Sequence, residues 1–382
     1  MRVLWNESMK ASRWWLIALL LAASSPAPRA DELQVYFGTG GPGADGIYRA
    51  RFDTATGALG KAERAAELAA PGFLALHPDG DKLYAVAGFE GGPGVVGYHI
   101  GRDGALELIG RSPTGDGGGA HVAVHPSGRF LLTAQYGGGS VALFPLDGDG
   151  RPGRAQLTRH EGGSRVVEQR QESPHPHYCG YSPDGKFALV PDLGLDKVVI
   201  YQVDANNPSI EPHGFAEALP GAGPRHLKFS VGGKFIYLLN ELSLSVTTYA
   251  WDAGTGSARR MATVPALSDE AKAKEAFNSA AEIVVHPGGR FVYSSNRGHD
   301  TVTVFRADPA GALEVIQVQP VRGAFPRNIN LTPCGGWLLA AGADSNTISV
   351  HRVNPETGQL TYQTKGVINV PAPICILFAR SP

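Results

Sequence analysis

The sequence predicts an all-β chain folded as a seven-bladed β-propeller, with strands from both ends of the chain closing one blade. Two observations carry that reading. Six small-residue turns recur between apolar strands: HPDG at 77–80, HPSG at 125–128, SPDG at 182–185, SVGG at 230–233, HPGG at 286–289 and TPCG at 332–335. Their last glycines, Gly80, Gly128, Gly185, Gly233, Gly289 and Gly335, lie 46 to 57 residues apart, the length of one four-stranded blade. The second observation is what the two ends contain. QVYFG at 34–38, GIYRARF at 46–52 and ICILFA at 374–379 are strands without a copy of the turn, and together they build a seventh blade. Ring closure removes the free sheet edges that an open array would expose.

Within each repeat the elements follow in order. A strand precedes the turn, as in HVAVH from 121, HLKFS from 226 and EIVVH from 282. A cation or its substitute and an apolar run come next: KLYAVA from 82, RFLLTA from 129, KFALVP from 186, KFIYLL from 234, RFVYSS from 290. After a short polar or glycine-rich stretch comes a third strand, as in VVIYQV from 198, SVTTYAW from 245, TVTVFRA from 301 and TISVHRV from 347. Strand, turn, strand, loop and strand make an antiparallel meander. One helix-like stretch, SDEAKAKEAF at 268–277, reads as a surface insertion in the fourth blade.

The 50 glycines, 28 prolines and 18% charged residues suit a turn-dense β chain. A net charge of −1 without a basic run gives no electrostatic case for nucleic acid. Residues 1–30 differ in kind: Lys10 and Arg13 precede an apolar run over 14–23, then Ser, Pro and Ala lead to Ala30. This is the layout of a secretory signal peptide, with an apolar run too short to span a bilayer comfortably. The expected product is one propeller domain over 31–382, periplasmic or secreted, monomeric, and without stable membrane insertion after cleavage. Cys179, Cys334 and Cys375 fall in different blades and read as buried small hydrophobes, without metal-ligand spacing.

The repeat also allows equivalent positions to be compared. The start of the strand before each turn and the end of the strand after it lie at the same face of the disc. Eight residues before the turn glycines stand Gly72, Ala120, His177, Arg225, Ala281 and Arg327; eight after stand Gly88, Tyr136, Leu193, Glu241, Arg297 and Ala343. Most are small or apolar. His177, Arg225, Glu241 and Arg297 stand out on the third to fifth blades, a polar sector suited to one small ligand. Taken singly, each has a plainer explanation, such as an Arg225–Glu241 structural ion pair. Their convergence on one sector favours a site, and two arginines there need an anion to balance them.

The segments RQESPHPHYCGYSPDGKFALVPDLGLDKV, GAGPRHLKFSVGGKFIYLLNELSLSV and NSAAEIVVHPGGRFVYSSNRGHDTVTVF, extended by FPRNINLTPCGGWLLAA and HRVNPETGQL, resemble the lactonases with a seven-bladed propeller. That family includes bacterial 6-phosphogluconolactonase and the fungal carboxymuconate cycloisomerase. The resemblance implies a metal-independent, cofactor-free lactonase, a carboxylic ester hydrolase opening a sugar lactone in carbohydrate metabolism. The family's His, Arg, Glu and Arg match His177, Arg225, Glu241 and Arg297, the same four polar positions at the ends of the hairpin strands. His175, two residues away, also fits the family histidine. His175, His226 of GPRH and Arg327 are the expected substrate contacts.

Lactone hydrolysis needs an activated water, stabilisation of an oxyanion and release of an alkoxide. Glu241 is the first choice for general base, and His177 the second, or else the acid for the ring oxygen. Arg225 and Arg297 offer charged planar forks for a developing oxyanion or a substrate carboxylate or phosphate. A tight Arg225–Glu241 pair would lower the basicity of the glutamate. Two other classes remain: a non-enzymatic secreted binding propeller, and a calcium-dependent sugar lactonase, against which the two arginines weigh because they repel a dication. No G-x-S-x-G elbow supports a serine hydrolase.

Overall fold

The computed structural model describes residues 32–41 and 43–380, and the expected signal peptide lies outside these residues. The described residues form seven antiparallel sheets. The closing sheet takes Pro373–Arg380 from the end of the chain beside Glu32–Thr39 and Gly46–Asp53 from its start, with Ala58–Leu59 and Glu63–Glu67 outermost. Leu33 opposes Arg380 and Phe37 opposes Ile376 along that junction.

The remaining sheets each hold four strands in sequence order. Their first strands are Leu74–Leu76, Gly119–Val124, Gly180–Tyr181, Pro224–Phe229, Ser279–Val285 and Pro326–Leu331. These are followed by Lys82–Phe89, Phe130–Gln135, Phe187–Asp192, Phe235–Asn240, Phe291–Arg297 and Trp337–Gly342. The apolar runs that mark the second strands are buried: Leu131, Leu132, Leu189, Val190, Leu238 and Leu239 are all sealed from solvent. Each blade packs its faces on its neighbours. One apolar cluster, for example, joins Leu189 and Ile200 of the third sheet to Leu227 and Leu238 of the fourth.

The turn motif also staples blades together. His77 Nε2 lies 2.9 Å from the Gly128 carbonyl, His125 Nε2 lies 3.0 Å from that of Gly185, and His286 Nε2 lies 3.3 Å from that of Gly335. Each histidine of an HPxG turn thus contacts the turn glycine of the next blade. That glycine adopts positive φ, so the motif serves both the reversal and the lateral contact.

Two sequence expectations need correction. The helix is one turn, Asp269–Lys272, capped by Ser268, in the connection from the fourth sheet to the fifth. It ends early because Asn278 Nδ2 donates to the Lys272 carbonyl at 2.7 Å, drawing the chain into the next inner strand. Cys179 and Cys375 are buried, but Cys334 is exposed, because it occupies the tip of the TPCG turn. Among the described residues no helix is long and apolar enough to cross a membrane.

Candidate active site

The second strands of the fourth and fifth blades end alike. Asn240 Nδ2 donates to Ser245 Oγ at 3.0 Å and to Thr247 Oγ1 at 2.9 Å. Asn296 Nδ2 does the same to Thr301 Oγ1 and Thr303 Oγ1, at 3.1 and 2.9 Å. Each asparagine ties its strand end to the returning strand, and the residue after it, Glu241 or Arg297, is delivered to the mouth. Gly298 must follow Arg297: its φ is +85°, and a Cβ there would run into the Phe277 carbonyl.

The first strands arrive with a bulge. Pro224 pairs with Asn240 and His226 with Leu239, leaving Arg225 as the extra residue. The sixth blade repeats this at Pro326–Arg327–Asn328, and in the fifth Ala281 and Glu282 together span the step from Ala280 to Ile283. Because of the bulge, two consecutive residues serve the central channel. Arg225 and His226 both line its deeper part.

These elements enclose a cavity of about 490 Å³ lined by His177, Glu241, Arg297, Arg327, Tyr136 and Arg170, among others. A smaller space of about 80 Å³ lies deeper, against His177, Arg225, His226 and Phe73. Glu241 sits at the centre of the charge. Its Oε2 accepts from Arg225 Nε at 2.9 Å and lies 3.1 Å from Arg297 Nη2, while Oε1 accepts from Arg170 Nη2 at 2.6 Å. Burial alone would raise its pKa, but Arg297, Arg225 and the Arg170 hydrogen bond together hold it well below the carboxylate range. Arg225 is itself buried and donates to the Ala281 carbonyl. Burial and the repulsion of Arg297 lower its pKa.

His177 is buried, with Nδ1 3.2 Å from His226 Nε2. Burial first, then Arg225 and His226, push its pKa well below 6.5, so the ring is neutral. The Arg327 side chain lines the same cavity and makes no hydrogen bond or ion pair among the described residues, though it lies within the field of Glu241. The rim is apolar on one side: Phe325 stacks on Phe277 at 6.1 Å and carries the Arg297 guanidinium over its face at 5.3 Å.

The structure therefore brings His177, Arg225, Glu241, Arg297 and Arg327 to one place. His226 lies one layer deeper, behind His177. His175 is not part of the lining: its ring stacks on Tyr136 at 4.5 Å and its Nδ1 lies 2.8 Å from the Tyr136 carbonyl. It acts by supporting Tyr136, which does line the cavity.

Arg170 and Tyr136 were not among the site residues expected from sequence. Tyr136 stood in the row of hairpin positions without being singled out. Arg170 comes from the irregular connection before the third blade, where no repeat position identifies it. Buried Gln171 pins that connection, donating to the Leu193 carbonyl and to Asp196 Oδ1, both at 2.8 Å.

A family model described as lactonase, 7-bladed β-propeller, matches residues 34–378. The chain belongs to this lactonase family. A 6-phosphogluconolactonase of Bacillus subtilis is 32% identical over 339 residues, covering 88% of this chain and 95% of that protein. A 6-phosphogluconolactonase of Formosa agariphila is 32% identical over 324 residues, covering 82% and 90%. The solved structure of a periplasmic gluconolactonase of Pseudomonas aeruginosa matches with a TM-score of 0.84 at 30% identity, over 92% of this chain and all of that one. The seven-bladed fold and the family expected from sequence are those found.

Proposed function

We propose that the protein is a lactone hydrolase acting on an anionic or polyhydroxylated sugar lactone at the 490 Å³ cavity. The observation that carries this reading is the charge inventory: three guanidinium groups, of Arg170, Arg225 and Arg297, converge on one carboxylate, and a fourth, of Arg327, lines the same cavity with a neutral histidine. The excess of positive charge suits a substrate that is anionic or becomes so in the transition state. The names of its relatives support the same class.

In this reading His177 is the base. Both oxygens of Glu241 already accept from arginines, which leaves that carboxylate a poor proton acceptor. Glu241 instead holds Arg225 and Arg297 in place as electrophiles. Neutral His177 takes a proton from water as the water oxygen attacks the lactone carbonyl. The carbonyl electron pair moves to oxygen beside Arg225 and Arg297. When the intermediate collapses, the ring C–O bond breaks and the His177 proton passes to the ring oxygen, giving a hydroxyl and a carboxylic acid that ionises. Arg327, without a protein partner among the described residues, holds a substrate carboxylate, phosphate or hydroxyl.

A calcium-dependent route is disfavoured by the same charges, since the arginines surround Glu241, the carboxylate that lines the cavity among the described residues. Export to the periplasm is part of the proposal, supported by the composition of residues 1–30 and by the periplasmic gluconolactonase among its structural relatives. Such a location argues for a lactone that reaches the cell envelope. The test is a panel of aldonolactones, phosphorylated and not, assayed with purified protein. Hydrolysis of none by folded protein would leave the binding-propeller class in its place.

A further inference from the structure

We infer that buried His226 and Glu282 form a positioning relay behind His177, fixing that ring with its proton on Nδ1 and its lone pair on Nε2, toward the cavity. This deepens the reading of His177 as the base and rests on it.

The chain of donors can be followed from its far end. Asn328 Oδ1 accepts from the Ile376 backbone N–H at 2.9 Å, so its amide NH₂ faces Glu282 and donates to Oε2 at 2.7 Å. Glu282 Oε1 accepts from the Ile283 N–H at 3.0 Å and lies 2.9 Å from His226 Nδ1. With both oxygens accepting, the arrangement is that of a carboxylate, and His226 Nδ1 carries the hydrogen that completes it. A neutral His226 then presents a lone pair at Nε2, 3.2 Å from His177 Nδ1, which must donate to it. A neutral His177 is left with its lone pair on Nε2, for which the described residues supply no partner. Carboxylate, imidazole and imidazole thus stand in the order in which each fixes the tautomer of the next.

The surroundings keep His226 neutral. Burial is the largest cause, and the positive charges of Arg225 and Lys228 on its own strand and of Arg327 and Arg297 on the sixth and fifth blades act in the same direction. The His121, Tyr178 and His177 rings pack at 5.5, 5.4 and 5.1 Å, and Phe73 closes the first-blade side at 5.8 Å. Glu282 is the anion in direct contact. Burial raises the Glu282 pKa while Lys228 and Arg225 oppose the rise. In the reaction the proton taken from water rests on His177 Nε2. The resulting imidazolium is stabilised through Nδ1–H to His226, and behind it by Glu282, until the proton moves to the ring oxygen.

The direct test needs no substrate. Two-bond ¹H–¹⁵N correlation spectra of the histidine-labelled, unmutated protein at pH 7.5, assigned with His177→Gln and His226→Phe, report each tautomer. The expected result is Nδ1–H for both His177 and His226. An Nε2–H tautomer of His177 would overturn the relay. In kinetics, Glu282→Gln and His226→Phe should lower kcat by roughly 10²-fold with KM within about twofold, and turn His177 into a mixture of tautomers. An unchanged kcat, or a lower melting temperature with the His177 tautomer unaltered, would also overturn it. If wild type hydrolyses no lactone yet His177 is in the Nδ1–H form, the lactonase reading fails while the relay stands.

Discussion

Arg170 Nη2 lies 2.6 Å from Glu241 Oε1, joining the connection before the third blade to the residue that follows the second strand of the fourth. With Arg225 and Arg297 on the other oxygen, both oxygens of this carboxylate are engaged by guanidinium groups.

Replacing Glu241 therefore acts first on structure. Glu241→Gln keeps the shape but leaves Arg225 and Arg297 buried without their anion, a change that costs about 3–5 kcal/mol when one member of a buried ion pair is removed. The expected outcome is a clearly lower denaturation midpoint together with raised KM and reduced kcat. A variant as stable as wild type that loses only kcat would return the base role to Glu241.

His177 should behave in the opposite way. His177→Gln removes the base but no ion pair, so kcat falls by roughly 10²–10⁴ with little change in KM or melting temperature. Steady-state kinetics on the best lactone of the panel, with a thermal melt beside them, decide it.

Comparing hairpins eight residues either side of the turn glycine finds the upper layer of the site because strand ends are set by the repeat. The lower layer is one residue along. Seven before the same glycines stand Phe73, His121, Tyr178, His226, Glu282 and Asn328, which pack around the channel as ring contacts and hydrogen bonds. Strict strand alternation argues against reading two consecutive residues as channel-facing; the bulges at Arg225, Ala281 and Arg327 remove that objection. Arg170 was out of reach because its connection has no counterpart in the other blades. Whether His175 or His177 faces the cavity depends on local register, which the short third-blade inner strand, Gly180–Tyr181, does not fix in sequence.

Arg327 supplies a specificity test. Since it has no protein partner to lose among the described residues, Arg327→Ala should leave stability nearly unchanged. KM should rise roughly tenfold or more for lactones bearing a carboxylate or phosphate, in line with the loss of a charge-assisted hydrogen bond of about 1.5–3 kcal/mol. Neutral lactones should change far less. Equal losses for both classes would remove the assignment.

Activity should survive exhaustive chelation, because the guanidinium groups of Arg225 and Arg297 occupy the place of an electrophile. Loss with EDTA and recovery with Ca²⁺ would shift the mechanism to the calcium-dependent class. Processing is checked separately: N-terminal sequencing of protein from its host should begin near Asp31, and recovery of Met1 on cytosolic protein would reject export.

The buried histidines make stability sensitive to mild acid. Burial pushes the pKa of His121, His177 and His226 well below 6.5, and lowers that of His351 to about 4. Above pH 6.5 these rings are neutral in both states and contribute no pH dependence. As the pH falls below 6.5 the unfolded chain takes up protons that the fold refuses, so stability drops, by about 1.4 kcal/mol per pH unit for each proton of difference. Glu241, with its pKa lowered, adds loss in the same direction once the pH passes below 4.5. Glu282, raised by burial, works against the trend, but it is one carboxyl set against several histidines. Denaturant midpoints measured from pH 8 to pH 5 should be level at first and then fall steeply, and His177→Gln should make the fall shallower by up to one proton. A flat profile across that range would mean that the three channel histidines take up protons within the folded state, which is incompatible with the neutral His177 on which the proposed hydrolysis depends.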